Sequence, residues 1–544
     1  MMSTIITSNK YFVSVLIITI IFAGLTFGNL PSPGVSAGSQ TIDGVTYNFA
    51  DYGQLSHEQL ALFNYLDTIV SSKYQGYGEW DGWNAEDFHG LHHYVIAFMS
   101  YAVASMFETT PGYRTSYYQN FAYDLVKKMN TTIDDWGNSS IEYKEWAHPD
   151  FDFTEYYYPN VTNPDGDDIY TGGFRGPANI MWTGHYALME TLYERNFNTG
   201  EFVDEISWFI NDWNISLLTD GFGNPKEGGI WGVGIIPCEP YIVFSQCNSI
   251  PMVATGLYDN LYATDYLPMW DYGLNFINTV MQDENDLYTD GYFIQEPLGF
   301  VYASTGTPQE FPGPSLDPSA GLPKVSSYGI SWALAFLDYF QPEVTINEYP
   351  IFLEKFGQEI SGNLMYMMDS YHHPTDFGTY ELLGSLFTML LANQVQDYST
   401  RNRLMNFLYD LYNKIWSPDG RTMYFDTSSL EPFLQSVLAF GYIWANNEVS
   451  IRDLVDSRQN EFWDYPYISE ADDSHIWVYQ AEWDESKSGF ILNLRVDQTA
   501  TLTFANFDHA PHAFLGGNIF SELSATSQGY ELTLNPGLYN LVIV

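Results

Sequence analysis

The stretch Ala178–Asn196, ANIMWTGHYALMETLYERN, sets the period on which the whole chain is read. Ile180 and Ala187, Met181, Leu188 and Leu192 recur at intervals of four and seven, which is helical spacing and not the alternation of a strand. Gly176-Pro177 precede the stretch and Asn198-Thr199-Gly200 follow it, both turn-forming pieces. Stretches of the same kind run over 56–73, 91–107, 113–130, 201–217 and 245–262. Further ones cover 265–281, 327–341, 347–370, 378–396, 400–415 and 429–447. About twelve helices in sequential hairpins predict a mainly α fold, an (α/α)6 barrel or toroid of six helix pairs. No repeat relates the pairs, so closure of the ring rests on the count alone. Loops longer than about 15 residues are uncommon in scaffolds and often functional, which singles out 131–177 and 283–326.

The period changes near residue 455. His475–Trp483, Gly489–Val496, Ala500–Phe507, Tyr530–Leu534 and Tyr539–Val544 alternate apolar and polar residues, with turn-rich pieces such as Asn535-Pro536-Gly537 between them. They predict a small β-sandwich over 460–544, behind a helical body over 45–453. At the other end, Lys10 precedes the apolar run Phe12–Gly28, and Val35-Ser36-Ala37 supplies a small-residue cleavage signal. Residues 1–37 therefore read as an export signal, or as an uncleaved N-terminal anchor. Sequons at Asn130, Asn138, Asn160 and Asn214 fit export.

Acidic residues outnumber basic ones 67 to 19, for a formal charge of −48. Such a surface repels nucleic acid and anionic lipid, which removes both as main partners. Aromatic residues make up 17%, suited to core packing and also to an apolar or carbohydrate-binding cavity. No Walker loop, dinucleotide fingerprint or HExxH is present. His89, His92 and His93, and the pair His372-His373, lack the spacing of a zinc site. Asn163–Asp168 lacks the distal glutamate of a calcium loop. No metal is expected.

Two cysteines remain, Cys238 and Cys247, in PCEPYIVFSQCN. An even count in an exported chain points to a disulfide. A loop this short would contribute only about 2–3 kcal/mol, and so large a body has core enough without it. Cys238 lies between Pro237 and Pro240 beside Glu239, whereas Cys247 falls in the first turn of the next helix. Two thiols in such different surroundings can divide acid and base duties.

At these residues the chain resembles the linalool dehydratase/isomerase family. The CEP-x5-QCN arrangement stands as Cys238-Glu239-Pro240 and Gln246-Cys247-Asn248, and the likeness continues through Tyr258-Asp259 and Thr264-Asp265-Tyr266. Upstream, Asn179-Ile180-Met181 with Gly184-His185 looks like the family's NIM-x2-GH segment. Tyr94 matches the active-site tyrosine, Asp67 the aspartate, Tyr74 its partner tyrosine if one residue is inserted, and Tyr328 with Trp332 the last pocket tyrosine. The likeness covers roughly residues 55–345 well and the remaining helices loosely.

The resemblance implies an (α,α)6 barrel that needs no cofactor and takes a small apolar alcohol. The family dehydrates a tertiary allylic terpene alcohol and interconverts tertiary and primary ones. It further implies a homo-oligomer whose pocket borrows the Asp67 and Tyr74 equivalents from a neighbouring subunit. The residues suit that chemistry. Loss of an allylic hydroxyl needs a proton donor at oxygen, stabilisation of cationic character, and a base for a carbon-bound proton. Cys238 and Cys247 are expected to do acid/base work at opposite ends of the substrate, with a covalent thioether as the competing mechanism. Asp67, Tyr74 and His185 would hold and polarise the hydroxyl, while Tyr94, Met181, Tyr328 and Glu239 line the cavity. Tyr241, where the family has an aspartate, the acidic aromatic stretch Asp134–Phe174 and the β tail depart from the pattern and bear on the substrate. Two other readings remain: a carbohydrate-active hydrolase or lyase using carboxylates such as Glu239, Asp81 or Asp87, and a non-catalytic binding protein with a plain disulfide.

Overall fold

Two kinds of helix alternate along the chain, distinguished by how many faces they bury. The structure, a computed structural model, describes residues 38–71, 92–129, 180–220, 223–238, 242–289, 291–293, 325–368, 381–426, 432–456 and 460–544. The first kind is dry all round. Helix α4 (Ile180–Phe197) buries every residue from Ile180 to Asn196, and α8 (Ser327–Leu337) buries all but Tyr328. The second kind buries one stripe. Helix α9 (Pro342–Phe356) buries Thr345, Glu348, Tyr349, Phe352 and Phe356, and α11 (Tyr398–Asp410) buries Thr400, Arg401, Leu404, Leu408 and Tyr409. A helix without a wet face must be walled by neighbours, whereas a striped one lies against a surface.

The remaining barrel helices are α1 (His57–Ser71), α2 (His92–Thr109), α3 (Ser116–Met129), α5 (Val203–Leu218), α6 (Ser245–Tyr262), α7 (Asp271–Val280), α10 (Leu382–Gln394) and α12 (Pro432–Asn447). Helix α2 packs on α4, α4 on α6, α6 on α8, α8 on α10, α10 on α12, and α12 back on α2. The even-numbered helices thus close a ring. Outside it, α1 and α3 pack on each other and on α12 and α2, α5 packs on α4, α9 on α8 and α11 on α10. This is the toroid of six helix pairs that the helix count predicts.

Inner helices α2 to α10 are each followed by an outer partner after a short connection, such as 198–202, 338–341 or 395–397, and α12 pairs with α1 from the start of the chain's helical part. A turn that short forces an antiparallel pair, so every inner helix starts at the same rim. The connections entering the inner helices, such as 130–179 and 281–326, are longer in sequence.

Four short antiparallel pairs accompany the described helices: β1 (Ser39–Ile42) with β2 (Val45–Asn48), β3 (Ile242–Phe244) with β4 (Gly291–Phe293), β5 (Gly357–Ser361) with β6 (Leu364–Met367), and β7 (Lys414–Trp416) with β8 (Met423–Phe425). The third pair corrects the helix predicted over 347–370, which stops at Phe356. Ser361 pairs with Leu364 around Gly362-Asn363, and Met365 and Met367 turn inward while Leu364 and Tyr366 stay half-exposed. A short apolar run of this kind satisfies either period, and the Gly-Asn turn decides for the hairpin.

After residue 460 come β9 (Tyr467–Ala471), β10 (Ile476–Asp484), β11 (Gly489–Val496), β12 (Ala500–Ala505), β13 (His512–Leu515), β14 (Asn518–Glu522), β15 (Ser524–Ala525), β16 (Tyr530–Leu534) and β17 (Gly537–Ile543). They form an antiparallel five-stranded sheet, β10-β11-β17-β13-β14, and a four-stranded sheet, β15-β16-β12-β9. Phe490 of β11 meets Phe504 of β12 edge-on at 5.7 Å between the sheets. Its neighbour Ile491 points the other way, into a cluster with Ile42, Tyr47, Phe49 and Val542. Residues 45–51, counted with the barrel by sequence, therefore pack with the β layer. That layer docks at the short-turn rim, where the Gly112 N–H donates to Ala481 O at 2.8 Å and the Leu55 N–H to Tyr479 O at 2.9 Å.

Candidate active site at the long-loop rim

The segment carrying Cys238 is held from two sides. The Ile180 N–H, at the start of α4, donates to Pro237 O at 3.1 Å. Asn248, in the first turns of α6, accepts from the Ile236 N–H at 2.9 Å and donates to Ile236 O and Phe244 O at 2.9 and 3.0 Å. One fully buried amide thus supplies three bonds to the loop, which sets Cys238 over the first turn of α6. The two thiols are buried, at 1% and 4% exposure, with their sulfurs 2.9 Å apart. That separation is a hydrogen-bond contact and longer than the ~2.05 Å of a covalent S–S bond.

Two further residues shape this corner. Pro251, inside α6, lacks the N–H that would otherwise bond the Cys247 carbonyl. A Cβ on Gly184 would lie 2.8 Å from Pro251 Cδ, so glycine is what lets α4 approach α6 here.

His185 lies one turn after Met181 on α4, and both are buried. Tyr101 of α2 places its hydroxyl 2.6 Å from His185 Nδ1. Burial pushes the imidazole pKa down from 6.5 to about 3, so the ring is neutral near pH 7. Phe98 stands edge-on to it at 5.6 Å, and Trp332 of α8 lies at the same distance on another side. Trp332 stacks on Phe387 of α10 at 5.0 Å and meets Tyr328 at 6.2 Å. Five inner helices therefore contribute to one aromatic cluster, since Phe98 also contacts Phe440 of α12 at 5.4 Å.

The expected site residues divide accordingly. Met181, His185, Cys247 and Tyr328 fall in the first two turns of three neighbouring inner helices, with Cys238 bound against them. Asp67 does not share that layer. It is half-buried on the outer helix α1, where it adds to the pKa rise that burial imposes on Tyr117. Tyr74, Glu239 and the alternative carboxylates Asp81 and Asp87 lie outside the described residues, as does the side chain of Tyr94, whose backbone is in α2. One expectation changes: sulfurs 2.9 Å apart cannot stand at opposite ends of a substrate. Sequence reasoning assigned no role to Asn248, Pro251 or Tyr101. The first two stand inside or beside the quoted motif, and Tyr101 follows Tyr94 by seven residues, on the same helical face.

A cavity of about 180 Å3 lies elsewhere, between the 110–115 turn and the β layer. Glu108, Arg114, Phe462, Glu482 and Trp483 line it. Arg114 covers the Phe462 ring at 3.9 Å, and Glu108 pairs with the buried Arg195 at 2.8 Å. Burial, then the charges of Glu108 and Asp484, push Glu482 up to about 7. This polar cavity belongs to the seam between ring and sandwich and lies at the opposite rim.

No family model matches the chain. Among solved structures it is similar to a family 105 glycoside hydrolase of C. acetobutylicum, at 10% identity over 71% of this chain and 99% of that one, with a TM-score of 0.41. It is also similar to the α-1,6-mannanase of Salegentibacter sp. HEL1_6, at 11% identity over 73% and 100%, with a TM-score of 0.39. A third is the family 127 β-L-arabinofuranosidase of Geobacillus stearothermophilus T6, at 12% over 90% and 75%, with a TM-score of 0.32. Likeness this distant carries no chemistry across. Among the described residues no helix is long and apolar enough to cross a membrane.

Proposed function

We propose that the protein is an exported, homo-oligomeric enzyme that dehydrates or isomerises an allylic, terpene-type alcohol such as linalool or geraniol, using Cys238 and Cys247 and no cofactor. The observation behind this reading is the contact between two buried thiols, 2.9 Å apart, at a rim walled by aromatic rings. One thiol gives its proton to the departing hydroxyl, which leaves as water. The thiolate so formed, steadied by the S–H of the other, takes a carbon-bound proton, and both thiols are restored with the diene as product. Isomerisation returns water to the other allylic carbon. The faces of Trp332 and Tyr328 favour the cationic character that develops in between. In this reading Asp67, on the outer helix α1, and Tyr74 serve a neighbouring subunit's pocket.

The test is turnover of linalool and geraniol by purified, reduced protein beside Cys238→Ala and Cys247→Ala. Activity that survives both substitutions sinks the cysteine mechanism.

A second reading, a carbohydrate-active hydrolase or lyase, draws on the architecture itself, a helical toroid with a β-sandwich. It also draws on Glu381, a carboxylate at the start of α10 on the same rim, which accepts from the Leu383 N–H at 3.2 Å. It needs a second carboxylate at working distance, from Glu239, Asp81 or Asp87. Turnover of a polysaccharide, unaffected by either cysteine substitution and lost in Glu381→Gln, would put this reading in place of the first.

A further inference from the structure

We propose that Tyr101 locks His185 in the tautomer that carries its single proton on Nε2, making His185 a hydrogen-bond donor to substrate oxygen and excluding it as a base. The tautomer follows from the hydrogen bonds of the ring; the role toward substrate rests on the reading above.

The Tyr101 hydroxyl lies 2.6 Å from Nδ1, and both side chains are buried, at 1% and 0% exposure. A phenol carries one proton, and stranding it in a dry core costs about 1–3 kcal/mol. Among the described residues, His185 Nδ1 is the hydrogen-bond partner of this hydroxyl, and the Tyr101 ring itself packs among the rings of Phe98, Phe336 and Trp444, at 6.0, 6.1 and 6.0 Å between centroids. Were Nδ1 protonated, the N–H would donate to the phenol oxygen and leave the phenol proton without that acceptor. A doubly protonated imidazolium would strand it in the same way. Nδ1 is therefore the acceptor.

The groups described around the ring agree. Phe98 and Tyr101 face it from α2 and Trp332 from α8, none of them charged at neutral pH. Burial also keeps the Tyr101 phenol protonated, well above its ordinary pKa of 10, so the donor stays a donor. With the Nδ1 lone pair occupied, the neutral ring has no basic nitrogen left for a carbon-bound proton. Its Nε2–H can only donate, and in the function proposed above the alcohol oxygen is what it donates to. The proton from carbon then falls to the thiol pair.

Nitrogen NMR of the full chain, reduced and labelled with 15N-histidine, tests this directly. Of the 11 imidazoles, the one missing in His185→Gln is assigned to His185. The expected result is an Nε2–H form with a hydrogen-bonded Nδ1, unchanged from pH 5 to pH 8. An Nδ1–H form, or titration within that range, overturns the proposal. In activity, His185→Gln, whose amide N–H substitutes for Nε2–H, is expected to retain at least tenfold more turnover than His185→Ala. Tyr101→Phe is expected to lower kcat and to let an Nδ1–H form of His185 appear in the nitrogen spectrum, which a purely structural role would not do. A pure Nε2–H form in a folded Tyr101→Phe protein also counts against the lock. An Nε2–H form without turnover of any allylic alcohol would overturn the proposed function and leave the tautomer standing.

Discussion

At one rim the helices turn back through pieces such as 338–341 and 395–397; at the other the chain spends 130–179 or 281–326 before re-entering the ring. The buried polar groups differ as well. On the short-turn side, Glu194 accepts from Thr199 Oγ1 and the N–H groups of Gly200 and Phe202. Asp259, near the end of the next inner helix, likewise accepts from Thr264 Oγ1 and the N–H groups of Tyr266 and Leu267. These carboxylates are used up satisfying backbone donors at turns. The long-loop side also holds such structural groups, Asn248 and Asp283, which accepts from the N–H groups of Asn285 and Leu287, and adds to them two thiols in contact with each other and a neutral imidazole. Buried charge marks structure here, and buried neutral groups with exchangeable protons mark the candidate chemistry.

The sharpest way to break that contrast is at the thiols. Cys247→Ala is expected to reduce turnover of the allylic alcohol by a factor of about 10²–10⁴, while thermal unfolding of the variant stays within a few degrees of the parent. A variant that loses activity only by unfolding would erase the distinction between the rims.

Asp259→Ala, on the other side, should do the reverse. Removing the acceptor of several buried donors is expected to cost about 3 kcal/mol in denaturant unfolding. The activity of the protein that remains folded should be unchanged.

Asn248→Ala lies between the two. Loss of its three bonds to Ile236 and Phe244 is expected to cost about 2 kcal/mol. It should also lower kcat several-fold, because Cys238 is no longer held over Cys247. Equal loss of kcat in Asp259→Ala would show that general loosening, and not placement of the thiol, is being measured.

The smallest effect belongs to the seam. Glu482 has an ordinary pKa of 4.5 that the fold raises to about 7. Between those values the folded protein holds a proton that the unfolded chain has released, so this group's contribution to stability falls as pH rises. Glu482→Gln is therefore expected to stabilise the protein by on the order of 1–2 kcal/mol above pH 7, given the partial exposure of the side chain. The gain should vanish below about pH 4.5. Equal melting shifts at pH 4 and pH 8 would contradict it.

The reading of the sequence located all twelve ring helices, because each carries enough apolar residues at helical spacing to outweigh local exceptions. It overran into strands over Gly357–Met367, which satisfied both periods, and at the end of 400–415, where the helix stops at Asp410 and Lys414 begins β7. It also found β10, β11, β12, β16 and β17, whose alternation or length is evident, and missed β9, β13, β14 and β15, which are short or largely exposed. The cysteine motif was visible as a pattern, yet its geometry was misjudged. Nine positions of separation say nothing of whether a side-chain amide such as Asn248 folds the intervening loop back on itself.

Local spacing alone, then, was sufficient for the number of helices and the change to strands near residue 455, whereas the choice of Cys238, Cys247, His185, Met181 and Tyr328 as a set came from the resemblance of their motifs to a known family. The helices and strands depend on neighbours within one turn or one strand, which a linear reading sees. Closure of the ring through α12 and α2, the 2.9 Å contact of the sulfurs and the bond from Tyr101 to His185 became visible only once the chain was folded. Each joins groups brought together by packing of separate elements, and no periodicity along the chain encodes which faces will meet.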